Sequence, residues 1–171
     1  MADGIFQNQT EVNAHTDEYG TVIQPNAQPG DIRFKDLNHD GKLDDNDKTF
    51  IGNAFPDLMV GINARLAWKN IDFAANFYGT IGNDVYNTTK GRYSGVSGEN
   101  VYAGTYNASW HGEGTSYDLP RLSYNDANQN WTRVSSFYVE DGSYLRCKQL
   151  QIGYTLPKKW TKKISVSYTH L

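Results

Sequence analysis

The sequence has a single cysteine, no long apolar run and no strong excess of either charge. Cys147 stands alone among 171 residues, which excludes an internal disulfide framework. No apolar run approaches the roughly 20 residues of a transmembrane helix. The formal net charge is −3, from 19 acidic and 16 basic residues, so no basic surface for nucleic acid is indicated. We therefore expect neither a helical membrane protein nor a nucleic-acid partner.

The residues that are present favour β structure with long polar loops. Tyrosine occurs 12 times and glycine 16 times, whereas hydrophobic residues make up only 38% of the chain. The length suits one ordinary domain. The sequence contains no Gly-x-Ser-x-Gly, His-Glu-x-x-His or phosphate-loop motif, and its four histidines lack ligand spacing. We therefore expect no enzymatic activity.

The stretch from Asp36 to Asp47 has the oxygen spacing of a calcium loop. Glycine stands at position six, and oxygen ligands stand at positions one, three, five, seven, nine and twelve: Asp36, Asn38, Asp40, Lys42 (through its backbone carbonyl), Asp44 and Asp47. The twelfth residue is Asp rather than Glu, which predicts a weaker or differently shaped site. Because no helices flank the loop, we expect a structural Ca²⁺ and not a switch. The alternative is a solvated turn without metal.

Residues 58–82 alternate between apolar and mixed positions, which predicts a β-hairpin. Leu58 to Trp68 and Ile71 to Ile81 each place apolar side chains on one face, and Lys69-Asn70 provides a two-residue turn. Two interpretations stay open. In a soluble sandwich the apolar face packs on a second sheet. In a membrane barrel it meets lipid, and these strands satisfy the roughly 9–11 residues that a tilted membrane strand needs.

The remainder predicts a long loop over residues 83–143 and a second hairpin over 144–171. Alternation is visible from Leu150 to Leu156, and it resumes at Ile164. Aromatic side chains of the long loop are candidates for stacking on a sugar ring or a peptide side chain: Tyr93, Tyr102, Tyr106, Trp110 and Trp131. The alternative is that these side chains pack the loop against its neighbours.

Several short motifs, taken in order, resemble the C-terminal part of SusC/RagA-type TonB-linked outer-membrane transporters. The ending Gly-Tyr-Thr-Leu-Pro of the last motif is the most specific feature. The motifs are Pro29–Asp36 leading into the acidic loop, Phe50–Asn53, Phe55–Asp57, Ile71–Phe73, Gly82–Asn87, Val139–Arg146 and Leu150–Pro157. Cys147 departs from the pattern, where the family usually has an apolar residue. Residues 165–171 depart as well, so the C-terminus is expected to be a truncation or an artefact.

The resemblance implies an all-β fold, in which antiparallel strands belong to a transmembrane β-barrel of about 22 strands. This chain would supply about four of them, with membrane hairpins at 58–82 and 144–171 and extracellular loop regions at 1–57 and 83–143. The plug, the TonB-contacting segment and the signal peptide would lie upstream. The implied location is the outer membrane.

The resemblance also implies partners. These are outer-membrane lipid, a SusD-like surface lipoprotein, a TonB complex contacted through upstream parts, and an imported oligosaccharide or peptide. The alternative from a different class is a soluble, secreted calcium-binding β module that binds carbohydrate.

Overall fold

A computed structural model describes residues 1–92 and 100–161 of the chain. Its longest elements are three strands of one antiparallel sheet, in the order β3-β4-β7: β3 (Leu58–Trp68), β4 (Ile71–Ile81) and β7 (Tyr144–Tyr154). Two small sheets pair β1 (Ala2–Ile5) with β2 (Ile32–Phe34), and β5 (Asp84–Tyr86) with β6 (Val139–Asp141). The expected all-β antiparallel class is thereby confirmed.

The helices are short: α1 (Gln9–Ala14), α2 (Thr89–Arg92), α3 (Ala103–Ala108) and α4 (Lys158–Thr161). Single 3₁₀ turns occur at Asp45–Asp47 and Ser136–Tyr138. Within the described part of the chain, none of the helices is long and apolar enough to cross a membrane. The strand expected from Ile164 lies outside the described residues.

The chain divides into two units. The first unit combines Met1–Asn53 with Val85–Glu140, and the second combines Ala54–Asp84 with the described residues from Asp141 onward. The first unit therefore consists of two stretches that are separated in sequence by the β3-β4 hairpin.

The hairpin of the second unit has the register that its alternation predicts. Leu58 lies opposite Ile81, and Trp68 lies opposite Ile71, with Lys69-Asn70 as the turn. Lys69 adopts φ +54°, a left-handed conformation that a two-residue hairpin turn requires. Each residue on the apolar face of β3 is thus paired with a residue on the same face of β4.

Strand β7 contains an irregularity that the sequence did not predict. Asn76 of β4 lies opposite Gln149, but the next residue, Phe77, lies opposite Cys147, so Lys148 is an extra residue. The bulge shifts the alternation by one residue. Leu150 and Cys147, three positions apart, therefore lie on the same face. Strand β7 begins at Tyr144, the first residue of the predicted second hairpin, although clear alternation is visible only from Leu150.

The first unit has a buried core of its own. The fully or nearly fully buried apolar side chains come from both of its stretches: Phe6, Val12, Ala27, Ile32, Phe34, Trp131 and Tyr138. The sequence analysis treated these stretches as separate loop regions. The structure shows that each stretch supplies part of the apolar core of one unit.

Amide side chains replace a neighbouring strand along one edge of β2. Gln24 Oε1 accepts a hydrogen bond from the Phe34 N–H at 2.8 Å, and Asn130 Oδ1 accepts one from the Ile32 N–H at 2.8 Å. Gln24 Nε2 and Asn128 Nδ2 both donate to the Ile32 carbonyl, at 3.0 and 2.9 Å. Buried backbone groups need such partners, and these bonds join the two stretches of the first unit.

Candidate functional site

The β3-β4-β7 sheet exposes one continuous apolar face. The exposed fraction is 68% for Leu66, 67% for Trp68 and 73% for Ile152. Strand pairing places all of the following side chains on this face: Leu58, Val60, Ile62, Ala64, Leu66, Trp68, Ile71, Phe73, Ala75, Phe77, Ile81, Leu145, Cys147, Leu150, Ile152 and Tyr154. Soluble monomers rarely expose a contiguous apolar surface of this extent, so the face suits an apolar environment.

The opposite face of the same sheet is polar. Asn63 lies opposite Asn76, which in turn lies opposite Gln149. The ammonium group of Lys148 lies 5.0 Å from the centre of the Tyr78 ring, so the extra residue of the bulge also contributes a charge to this side. One sheet thus separates an apolar side from a side suited to water.

The calcium-type loop is folded around the carboxylate of Asp36. Its two oxygens accept hydrogen bonds from the backbone N–H groups of His39 and Gly41, each at 2.7 Å. Gly41 has φ +79°, the conformation that glycine adopts more readily than other residues. The chain therefore turns sharply at position six, where the calcium-loop pattern has its glycine.

Asp47 closes the loop as a nearly buried carboxylate. It accepts backbone N–H bonds from Leu37 at 2.7 Å and Asp44 at 2.9 Å. Burial alone would raise the pKa of Asp47, but backbone bonds from Leu37, Asp44 and Asn38 and a side-chain bond with Asp36 outweigh it and lower the pKa. The first and last predicted ligands of the loop therefore lie next to each other.

The other predicted ligands bond to the loop's own backbone. Asn38 Oδ1 accepts from the Asp40 N–H at 3.2 Å, Asp40 Oδ1 from the Lys42 N–H at 2.9 Å, and Asp44 Oδ1 from the Asn46 N–H at 2.7 Å. Across residues 1–92 and 100–161, no three His, Cys, Asp or Glu side chains converge closely enough to hold a metal ion. The structure thus brings Asp36 and Asp47 together but does not assemble the complete ligand set.

The aromatic candidates occupy different environments. Tyr102 and Tyr106 are exposed on and beside α3. Trp110 donates from Nε1 to Gln7 Oε1 at 3.2 Å. Trp131 is buried, and its ring meets Phe137 edge-on at 5.6 Å. Tyr93 lies outside the described residues. The two tyrosines are accessible to a ligand, whereas Trp131 packs inside the first unit.

The sequence analysis did not predict a cavity of about 490 Å³ in the first unit. Phe34, Leu43 and Ile51 contribute to its lining from one stretch, and Arg133 and Ser135 from the other. No local motif joins these residues, so only the folded chain shows that they share a cavity.

Comparison with known proteins identifies relatives over most of the chain. No family model matches it. The chain is 31% identical over 154 residues to TonB-dependent receptor P26 of Formosa agariphila, which covers 90% of this chain and 15% of that protein. It is 33% identical over 150 residues to TonB-dependent receptor P3 of the same organism, covering 88% and 14%.

A third relative is the TonB-dependent receptor SusC of Bacteroides thetaiotaomicron. It is 23% identical over 161 residues, which cover 90% of this chain and 15% of SusC. The chain therefore spans about 14–15% of the length of the curated relatives that it matches. All three are TonB-dependent receptors, and the resemblance noted from the motifs is confirmed. The chain belongs to the SusC-like TonB-dependent receptors.

Proposed function

We propose that this chain provides membrane strands and surface structure to an outer-membrane receptor that imports oligosaccharides or peptides. The receptor would take its energy from a TonB complex and work with a SusD-like surface lipoprotein. The chain itself would have no catalytic role. The observation that carries this proposal is the exposed apolar face of the β3-β4-β7 sheet.

The dimensions of the sheet support a membrane location. Strands β3, β4 and β7 have 11 residues each, and a tilted membrane strand needs roughly 9–11. An apolar outer face combined with a polar inner face is the pattern of a membrane barrel that encloses water. In this arrangement the apolar face would contact outer-membrane lipid.

Cys147 provides a direct test, because it is the single cysteine of the chain and lies on the apolar face opposite Phe77. The receptor containing this chain would be placed in outer membranes, with Cys147 as its only cysteine. We expect a lipid-soluble maleimide to label Cys147 and a charged, water-soluble thiol reagent to leave it unlabelled. The extent of labelling would be read by mass spectrometry.

A matched control moves the thiol to the other face. Cys147→Ser combined with Gln149→Cys places it opposite Asn76, where the charged reagent should react. Equal labelling of both positions by the charged reagent in intact membranes would exclude lipid contact at the apolar face.

The partners can be tested separately. Affinity purification of the intact receptor should retain a SusD-like lipoprotein, and loss of TonB function should abolish uptake of its oligosaccharide or peptide without abolishing surface binding. Uptake that continues at the normal rate without TonB would contradict the proposed energy source.

We also propose that the Asp36–Asp47 loop binds a structural Ca²⁺. The adjacent carboxylates of Asp36 and Asp47 support this, because two neighbouring negative charges favour a cation between them. Asn38, Asp40, Asp44 and the Lys42 carbonyl would complete a set of hard oxygen ligands. The ion would hold the loop and would take no part in chemistry.

Calorimetric titration of Ca²⁺ into the full chain refolded in detergent tests this site. Binding should be lost in the double variant Asp36→Ala, Asp40→Ala. It should persist in the control Glu18→Ala, Asp118→Ala, which also removes two carboxylates but lies outside the loop. A folded parent that binds no Ca²⁺ would refute the site.

A further inference from the structure

The unpredicted cavity of the first unit combines apolar walls with a cationic side chain. Leu43, Ile51 and Val134 contribute apolar surface, and Arg133 and Ser135 contribute polar groups. Its volume of about 490 Å³ lies in the range of small-molecule sites, roughly 300–1,000 Å³.

The guanidinium of Arg133 is held in place without a carboxylate partner. It lies over the Phe34 ring at 5.1 Å from the ring centre. Its Nε and Nη2 atoms donate to the neutral Gln129 Oε1, at 3.3 and 3.2 Å. Within the described ranges no acidic side chain forms an ion pair with Arg133. A fixed guanidinium of this kind is suited to binding a carboxylate.

Ser135 is the second unusual group in the cavity wall. Its side chain is 3% exposed, and its Oγ has no hydrogen-bond partner among the described residues. Burying a hydroxyl without a partner destabilises a fold, so such groups call for an explanation. A ligand oxygen in the cavity would supply the missing bond.

The two lysine side chains of the lining already form ion pairs. Lys48 pairs with Asp45 at 2.8 Å, and Lys35 pairs with Asp3 at 3.1 Å. Asp47 accepts backbone N–H groups of its own loop. Besides the Met1 amino group, Arg133 is thus the cationic lining group that forms no ion pair within the described part of the chain.

We propose that this cavity binds a carboxylate carried on an apolar group. The Arg133 guanidinium would pair with the carboxylate, Ser135 Oγ would donate to it, and Leu43, Ile51 and Val134 would contact the apolar part. A peptide C-terminus with an apolar side chain has this chemistry, whereas an acidic sugar carries its carboxylate on a polar ring, and the test separates them. The site goes beyond the receptor proposal, since binding here does not depend on transport.

The test is calorimetric titration of the full chain, refolded in detergent, with matched pairs of probes. N-acetyl-leucine carries the carboxylate, and N-acetyl-leucinamide replaces it with a neutral amide. We expect the acid to bind at least tenfold more tightly than the amide. Glucuronic acid and glucose form the second pair, and tighter binding of glucuronic acid than of N-acetyl-leucine would contradict the proposed apolar contact.

Two variants separate ligand binding from folding. Ser135→Ala should weaken N-acetyl-leucine at least fivefold while the thermal midpoint stays the same or rises, because the variant removes an unpartnered buried hydroxyl. Arg133→Gln should abolish the preference for acid over amide. The control Arg146→Gln changes an arginine that does not line the cavity, and affinity should stay unchanged.

The proposal is overturned if the folded parent binds neither acid, or binds each acid no better than its neutral partner. It is also overturned if Ser135→Ala leaves the affinity of the parent unchanged.

Discussion

Asp31 is a fully buried carboxylate that joins the two stretches of the first unit. Arg121 Nε donates to it at 2.5 Å, Asn130 Nδ2 at 2.8 Å and the Gln28 N–H at 2.9 Å. A buried charge is tolerated only when it is paired and hydrogen-bonded. These donors therefore account for an acidic residue at the centre of the unit.

Removing this carboxylate should strongly destabilise the first unit. We expect Asp31→Ala to lower the free energy of unfolding by about 3–5 kcal/mol, because the Arg121 charge is left uncompensated. Urea unfolding of the full chain in detergent, followed by tryptophan fluorescence, measures the loss. Asp118→Ala removes an exposed carboxylate and should change little; equal losses in the two variants would contradict the role of Asp31.

The raised pKa of Tyr138 predicts that the folded state loses stability in alkali. Burial, followed by the charges of Tyr86 and Asp126, raises the pKa of Tyr138 to about 12. The folded state keeps this phenol neutral above pH 10, where the unfolded chain ionises. The resulting stabilisation is fully present below pH 10 and is lost as the pH rises from 10 towards 12.

Tyr138→Phe should make the unfolding midpoint less dependent on pH in this alkaline range. At neutral pH the variant should lose about 0.5–1.5 kcal/mol, because the Tyr138 hydroxyl no longer donates to the Trp131 carbonyl. Thermal melts between pH 8 and 12 measure both effects. Tyr124→Phe, at a side chain that is 82% exposed, should behave like the parent. An unchanged alkaline slope in Tyr138→Phe would refute this origin of the effect.

Among the elements, the calcium-type loop depends on glycine at position 41. Gly41 has φ +79°, and a Cβ there would lie 2.7 Å from Asp17 Oδ2. Gly41→Ala should cost about 1–3 kcal/mol from backbone strain, with the contact adding to the loss. Gly20→Ala is the control that measures backbone strain without a steric contact, since Gly20 has φ +82° and no atom within 4 Å of its added Cβ. Urea unfolding should rank Gly41→Ala as the more damaging change.

The bulge of β7 makes a second prediction at the scale of elements. Deleting Lys148 alone should leave Leu145 and Cys147 on the apolar face, because Gln149 and Cys147 then follow each other opposite Asn76 and Phe77 without an extra residue. Deleting both Lys148 and Gln149 should move Cys147 and Leu145 to the polar face if Leu150 keeps its place, because a shift of one residue exchanges the faces of a strand. We expect the single deletion to refold in detergent like the parent and the double deletion to refold to a smaller fraction, as measured by heat-modifiable gel mobility. Normal refolding of the double deletion would show that the alternation of β7 does not set its register.

The β3-β4 hairpin could be predicted from sequence because its signals are local. Alternation fixes the face, and Lys69-Asn70 fixes the register. The bulge of β7 could not be predicted from sequence, because its only trace is that apolar residues stop falling on every second position at Lys148. Partners such as Asp31 and Asn130 lie 99 positions apart, so no local pattern shows their contact or the cavity. The acidic loop was predictable in part. Its turn at Gly41 is present in the structure, and its metal remains a prediction.

For the whole molecule, the apolar sheet face should determine the solvent in which the chain folds. Large exposed apolar faces drive association in water. We expect the full chain to aggregate in buffer and to disperse in detergent with a β-rich circular dichroism spectrum. A monomer that melts cooperatively without detergent would instead support the soluble calcium-binding module.

The first unit consists of two stretches interrupted by a hairpin, and this order governs when it can form during synthesis. The Gln24, Asn128 and Asn130 amides that complete the edge of β2 come from both sides of the interruption. Contacts so distant in sequence form slowly, because the intervening chain must first be closed into a loop. Until Asn130 has emerged, the nascent chain carries an unpaired β2 edge and two strands with apolar faces. Under the proposed membrane role, delivery of this segment therefore requires that it be shielded from self-association throughout that interval.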